Sequence, residues 1–189
     1  MSHLTVIYDA CVLYPAPLRS FLMYLAMSDL YRARWTSEIH EEWIRNAVLD
    51  YPNFPREKAE KIRDLMNKHV MDCLVTGYEP LIPTLSLPDP DDRHVLAAAI
   101  RSEARVIVTF NLKDFPPTAL KPYGIKAQHP DEFILRLFDL NSRRVCEAAN
   151  QQRSSLKNPP MSVDQYLAAL ERQGLVRTVS SLRLHAEQI

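Results

Sequence analysis

Residues 89–110 read DPDDRHVLAAAIRSEARVIVTF, and the periodicity changes halfway along. Asp89 suits a helix N-cap and Pro90 the first helical position, because one accepts from free amides and the other lacks an amide to leave free. Asp91 and Asp92 then fall in the first turn, where the helix dipole favours an acid by about 0.3–1 kcal/mol. This predicts a helix over 89–103. ARVIVTF (104–110) is a β-branched run of strand length. A helix feeding a buried strand is half of a parallel α/β repeat, so the rest of the chain should supply the other halves.

LTVIYDA (4–10) reads as a buried strand, ARW (33–35) as a brief one, CLVTGY (73–78) as another and IKAQ (125–128) as a short last one. Helical patterns lie between them. Residues 17–30 carry Leu18, Phe21, Leu22 and Leu25 at helical spacing. Ser37 is the expected N-cap of EIHEEWIRNAVLD, and 55–72 is expected to be helical with Ile62, Leu65, Met66 and His69 on one face. Residues 129–140 form a further helix. Strands alternating with helices predict a short-stranded central parallel sheet covered on both faces, a three-layer α/β/α fold of Rossmann-like character. Sites in such folds form at the carboxyl ends of the strands.

From about residue 141 the chain turns polar, and then SVDQYLAALERQGL and VRTVSSLRLHAEQ read as helices, with Ser162 as a cap and Tyr166, Leu167 and Leu170 on one face. The expected organisation is a domain over 1–140 followed by a helical C-terminal extension over 141–189.

Composition narrows the function. The chain has 189 residues, 47% hydrophobic and 24% charged, which is globular. Its 23 basic and 23 acidic residues cancel, so no broad basic field exists, and a nucleic-acid enzyme of this composition needs a local patch or metal ions to supply positive charge. Three glycines leave no Gly-rich phosphate loop. Cys11, Cys73 and Cys146 form no CxxC or zinc spacing and read as buried thiols of a reducing compartment. The N-terminal MSHLTVIYD has no leader pattern, and no apolar run is long enough to span a membrane, so a cytoplasmic protein is expected.

Four acids stand out by placement: Asp9 after the first strand, Glu42 in the helix after Ser37, Asp92 in the first turn of the DPDD helix, and Asp114 past VIVTF. Each has an ordinary structural role open to it, as a cap, a solvated helix acid or a loop acid. On a parallel sheet, however, they can converge at one edge. Several carboxylates in a partly dry cleft do not stay ionised together without cations. All-oxygen ligands suit Mg²⁺ or Mn²⁺, ions that bind substrate phosphates and activate water. His40 and His94 read as packing or surface residues.

These segments, in this order, resemble a PIN domain, and within that family the VapC-type toxins. VIYDACVLYP resembles the opening strand and first acid, with Cys11 where the family usually has Asn; TSEIHEEWIRNAV resembles the helix of the second acid; DPDDRHVLAAAI resembles the third-acid segment. VIVTFNLKDFP resembles the strand and Thr-x-Asn-x-x-Asp-Phe signature, and HPDEFI the Pro-x-x-Phe helix that follows the last strand. The resemblance covers about residues 4–140. It implies Asp9, Glu42, Asp92 and Asp114 as metal ligands and catalytic acids, with Asp92 preferred to Asp91 because it lies seven positions before the family's helix alanine, at Ala99. It implies that Asp91 assists or caps, and that Thr109 and Asn111 line the site. It further implies a Mg²⁺- or Mn²⁺-dependent endoribonuclease acting on RNA, the toxin of a toxin–antitoxin pair, forming a homodimer and inhibited by a cognate antitoxin. The competing expectation is a catalytically weak or inactive PIN scaffold that binds protein or RNA. A haloacid-dehalogenase-type phosphatase is disfavoured because Asp9-Ala10-Cys11 lacks the second Asp, and a receiver because no acid pair precedes a strand-end acceptor.

Overall fold

A computed structural model describes residues 4–189. The expectation that the N-terminal segment is no leader falls partly on residues 1–3, outside the described residues. The fold is mixed α/β, built on a four-stranded, all-parallel sheet of order β2-β1-β3-β4 and finished by C-terminal helices. No helix of the described residues is long and apolar enough to cross a membrane.

Strand β1 (Thr5–Tyr8) lies at the centre because Val6, Ile7 and Tyr8 are apolar on both faces and fully buried. It pairs with β2 (Arg32–Arg34) and with β3 (Val106–Val108), in the register Val6↔Val106, Ile7↔Ile107 and Tyr8↔Val108. Strand β4 (Lys126–Gln128) closes the other side of β3. The chain leaves β1 towards β2 and leaves β3 towards β4. The carboxyl ends of β1 and β3 therefore flank a topological switch point, where parallel sheets open a crevice.

The chain forms two compact units. The first holds the chain through Tyr14 together with Tyr31–Gln128. In it, helix α1 (Ala10–Leu13) follows β1, α3 (Ser37–Asp50) packs against α1 and α4 (Arg56–His69), and α5 (Arg93–Arg101) lies across β1 and β3. Helix α5 is buried from His94 through Ala99 without a break, and its three alanines lie fully inside. Small side chains there let the helix approach the sheet closely. A short helix, α6 (Pro117–Leu120), packs on β4. Helix α3 is pinned by a polar network: Trp35 Nε1 donates to Asn67 Oδ1 (2.8 Å), His40 Nε2 lies 3.0 Å from the same oxygen, and Trp43 Nε1 donates to His40 Nδ1 (2.9 Å). His40 is thus the packing residue it was expected to be.

The second unit holds residues 15–30 and 129–189. Its helices are α2 (Ala16–Ala26), α7 (Pro130–Leu140), α8 (Ser142–Ser155), α9 (Val163–Glu171) and α10 (Val176–Arg183). Helix α2 packs on α8 and α9, and α7 packs on α8 and α10. The Asp131 carboxylate accepts from the amides of Arg177 (3.0 Å) and Thr178 (2.8 Å), which satisfies the start of α10. Ser162 caps α9 in a reciprocal capping box with Gln165, as the sequence suggests.

Several local expectations need correction. The cap of α3 is Thr36, whose hydroxyl accepts from Ile39 N at 3.0 Å; Ser37 is the first helical residue. Residues 73–78 make a single parallel bridge, Trp35↔Leu74, and no strand, and the chain turns at Gly77, which has positive φ, three residues later. The inner face of α4 is Ala59 and Met66; Leu65 and His69 point to solvent. The helix expected over 89–103 starts as a 3-10 turn (Pro90–Asp92), with Asp89 as its cap, before α5 begins. The polar stretch after 141 is an ordinary helix, α8, with Val145, Cys146, Ala148 and Ala149 turned inward.

Candidate active site

Asp9 follows β1 and Thr109 follows β3, and the pairing Tyr8↔Val108 sets them side by side at the switch point. Asp9 caps α1 and is 2% exposed. Three donors hold its carboxylate: Ala10 N to Oδ1 (2.7 Å), Thr109 Oγ1 to Oδ2 (2.6 Å) and Cys11 Sγ to Oδ2 (3.1 Å). Thr109 Oγ1 in turn accepts from Asn111 N at 2.9 Å, and Cys11 Sγ accepts from Phe110 N at 3.3 Å. Backbone and side chains from both strand ends thus fix one carboxylate. Burial raises the Asp9 pKa, Thr109 and Cys11 pull it down, and the charge of Glu42 pushes it up again, with the balance upward. Burial and then the neighbouring Asp9 charge push the Cys11 thiol well above its ordinary range, so it stays protonated and donates.

Asp92 ends the 3-10 turn and is half-buried. Its pKa is raised from 3.8 to about 7, by burial first and then by the charges of Asp9, Asp89, Asp114 and Glu42. Of the four acids singled out in the sequence, Asp9, Glu42 and Asp114 therefore each lie within electrostatic reach of Asp92, and Glu42 also within reach of Asp9. Asp114 is positioned by a turn in which its amide donates to Asn111 O (3.0 Å). Glu42 reaches in from α3. Asp91 and Asn111 are exposed; the Asp91 amide is taken by Asp89 Oδ1 at 2.9 Å, so its turn is capped by Asp89 rather than by itself.

Two residues at this edge were not foreseen as functional. Cys11 supplies a donor to Asp9 where an amide is usual. Its position two residues past the Asp9 cap is the available signal, since side chains there can reach back to the cap. His94 is 6% exposed and presents Nε2 to Glu42 Oε2 at 3.5 Å and Nδ1 to Glu38 Oε2 at 3.7 Å. Burial opposes its protonation, but Glu42, Glu38 and Asp9 outweigh burial and raise its pKa. In the sequence, the one signal was a histidine inside the otherwise apolar face of α5.

The donor set is all carboxylate oxygen, which suits a hard divalent cation. Among the described residues no lysine or arginine forms an ion pair with Asp9, Glu42, Asp92 or Asp114. The repulsion felt at Asp92 is what such a cation would remove. As they stand the acids are spread apart, and no three His, Cys, Asp or Glu of the described residues form a ready ligand set.

A parallel α/β sheet with a buried, hydrogen-bonded acid at its switch point and further acids within electrostatic reach defines the class of the protein. A family model described as PIN domain matches residues 5–113, more than half of the chain, and the chain belongs to the PIN-domain family. A second, described as VapC50 C-terminal domain, matches residues 130–184, within the second helical unit. Over 97 residues the chain is 45% identical to "Putative ribonuclease VapC50" of Mycobacterium tuberculosis (strain ATCC 25618 / H37Rv), covering 51% of this chain and 57% of that protein. The chain thus spans little over half the length of that relative. No solved structure matches.

Proposed function

We propose that the chain is a metal-dependent endoribonuclease, the toxin of a toxin–antitoxin pair in the cytoplasm. The observation that carries this reading is the influence of Asp9, Glu42 and Asp114 on Asp92 at the switch point, with no lysine or arginine paired to any of the four among the described residues. The PIN family membership and the likeness to a protein named as a ribonuclease support it. Asp9, Glu42, Asp92 and Asp114 would hold Mg²⁺ or Mn²⁺. When bound, such an ion lowers the pKa of water and steadies charge on a phosphodiester. Thr109 and Cys11 keep Asp9 aimed; Asn111, exposed beside Thr109, is placed to hydrogen-bond a phosphate. Asp91 serves the helix start rather than the reaction. In this reading residues 1–140 carry the chemistry, residues 141–189 extend it, the active form is a homodimer, and a small antitoxin protein restrains it.

The test is cleavage of a panel of structured and unstructured RNAs with Mn²⁺, Mg²⁺ or EDTA. Cleavage is expected with metal only, and to be lost in Asp9→Asn and Asp92→Asn, each retaining the parent's circular dichroism. Full activity of Asp9→Asn with metal would overturn the assignment. A parent that cleaves no RNA under any condition would favour the binding-scaffold reading.

A further inference from the structure

We propose that His94 is a positioning residue, holding Glu42 of α3 in place for the acidic cluster from its seat on α5. The inference rests on the metal-binding reading above and adds a residue to it.

Three observations carry it. First, the His94 side chain is 7% exposed and lies between two acids one helical turn apart on α3: Nε2 stands 3.5 Å from Glu42 Oε2 and Nδ1 stands 3.7 Å from Glu38 Oε2. Second, Nδ1 is buried and has no hydrogen-bond partner. A buried polar atom left unpaired works against folding, so an aliphatic side chain would suit this seat better for stability alone. Third, the Glu42 side chain is 32% exposed and has no other ion-pair partner among the described residues; Tyr78 Oη serves Glu38 instead, at 3.1 Å. His94 is thus the group that can fix the direction of Glu42. It stands two residues from Asp92, so one helix start orders both the second and the third acid. Groups that steady metal-binding carboxylates in this way affect affinity strongly when removed.

The test is Mn²⁺ binding, followed by the electron paramagnetic resonance of the free ion, together with thermal melting in EDTA. His94→Leu is expected to bind Mn²⁺ about 10–100-fold more weakly while melting no lower than the parent. His94→Gln places an amide donor near the Nε2 position and is expected to bind close to the parent, well above the leucine variant. Glu42→Gln should cost less affinity in the leucine background than in the parent, because the two residues act as one unit. Parent-like Mn²⁺ affinity in His94→Leu overturns the proposal and leaves the metal reading standing. So does a glutamine variant as weak as the leucine one, since the donor would then be irrelevant. A parent that binds no Mn²⁺ overturns the metal reading and this inference with it.

Discussion

Asp9 and Asp92 are both acids in partly dry surroundings, yet the chain treats them differently. Asp9 has three donors, whereas among the described residues no donor compensates the Asp92 carboxylate, which meets four neighbouring acids. The sign of the pH effect follows. In the folded chain the Asp92 pKa is about 7, against an ordinary 3.8. Below about pH 4 the group is protonated whether the chain is folded or not. Between about pH 4 and 7 the unfolded chain releases the proton first, so the contribution of Asp92 to stability is lost as pH rises. In EDTA, the stability advantage of the parent over Asp92→Asn should therefore shrink from pH 4.5 to 7.5, and saturating Mn²⁺ should restore it. Urea unfolding across that range checks this, and a pH-independent difference would contradict it. Asp9, Asp92 and Asp114 could be singled out because each stands at a strand end, a helix start or the loop after a strand, whereas Glu42, inside α3, was singled out through the family resemblance. Cys11 and His94 were not, because their roles depend on which strands pair and which helices touch, and neither follows from local pattern.

The start of α3 shows how backbone conformation, rather than residue type alone, selects a cap. Both Thr36 and Ser37 could cap it by residue type, and the sequence favoured Ser37. Thr36 wins because it directly follows the Trp35 bridge in extended conformation (φ −121°, ψ 167°), which a cap requires, while its side chain is wholly buried and accepts from Ile39 N. Thr36→Ala should cost about 1–2 kcal/mol of unfolding free energy, and Ser37→Ala a few tenths at most; the pair of urea curves reverses if Ser37 is the true cap. The far end of α5 shows the same logic. Glu103 adopts positive φ (55°), and Ala104 N reaches back to Ala99 O at 2.9 Å. A turn that usually takes glycine ends this helix, so the sequence placed its end, at 103, from the strand pattern that follows and not from a stop residue. The β-branched runs of β1 and β3, by contrast, were plain, because a parallel strand buried on both faces needs an unbroken apolar run.

At the scale of the whole molecule, sequence order and compactness divide the chain differently. The sequence changes character near 141, but α2, from residues 16–26, packs with α8 and α9, and α7 with α8 and α10. No periodicity can reveal that a segment inserted between β1 and β2 belongs with helices more than a hundred residues later. The dependence is energetic. Leu18, Phe21, Leu22 and Leu25 of α2 are fully buried, as are Phe133 and Ile134 of α7. Removing everything after Leu140 takes away α8–α10, against which these helices pack. Re-exposing even a few such side chains costs about 1.5–3 kcal/mol each, which together rivals the roughly 5–15 kcal/mol stability of a typical domain. A 1–140 fragment should therefore bind a hydrophobic dye, aggregate on warming and melt well below the parent, even though all four acids remain in it. If it instead melts cooperatively at the parent's midpoint with no dye binding, α2 and α7 do not depend on the C-terminal helices, and the extension is an accessory rather than part of the folding unit.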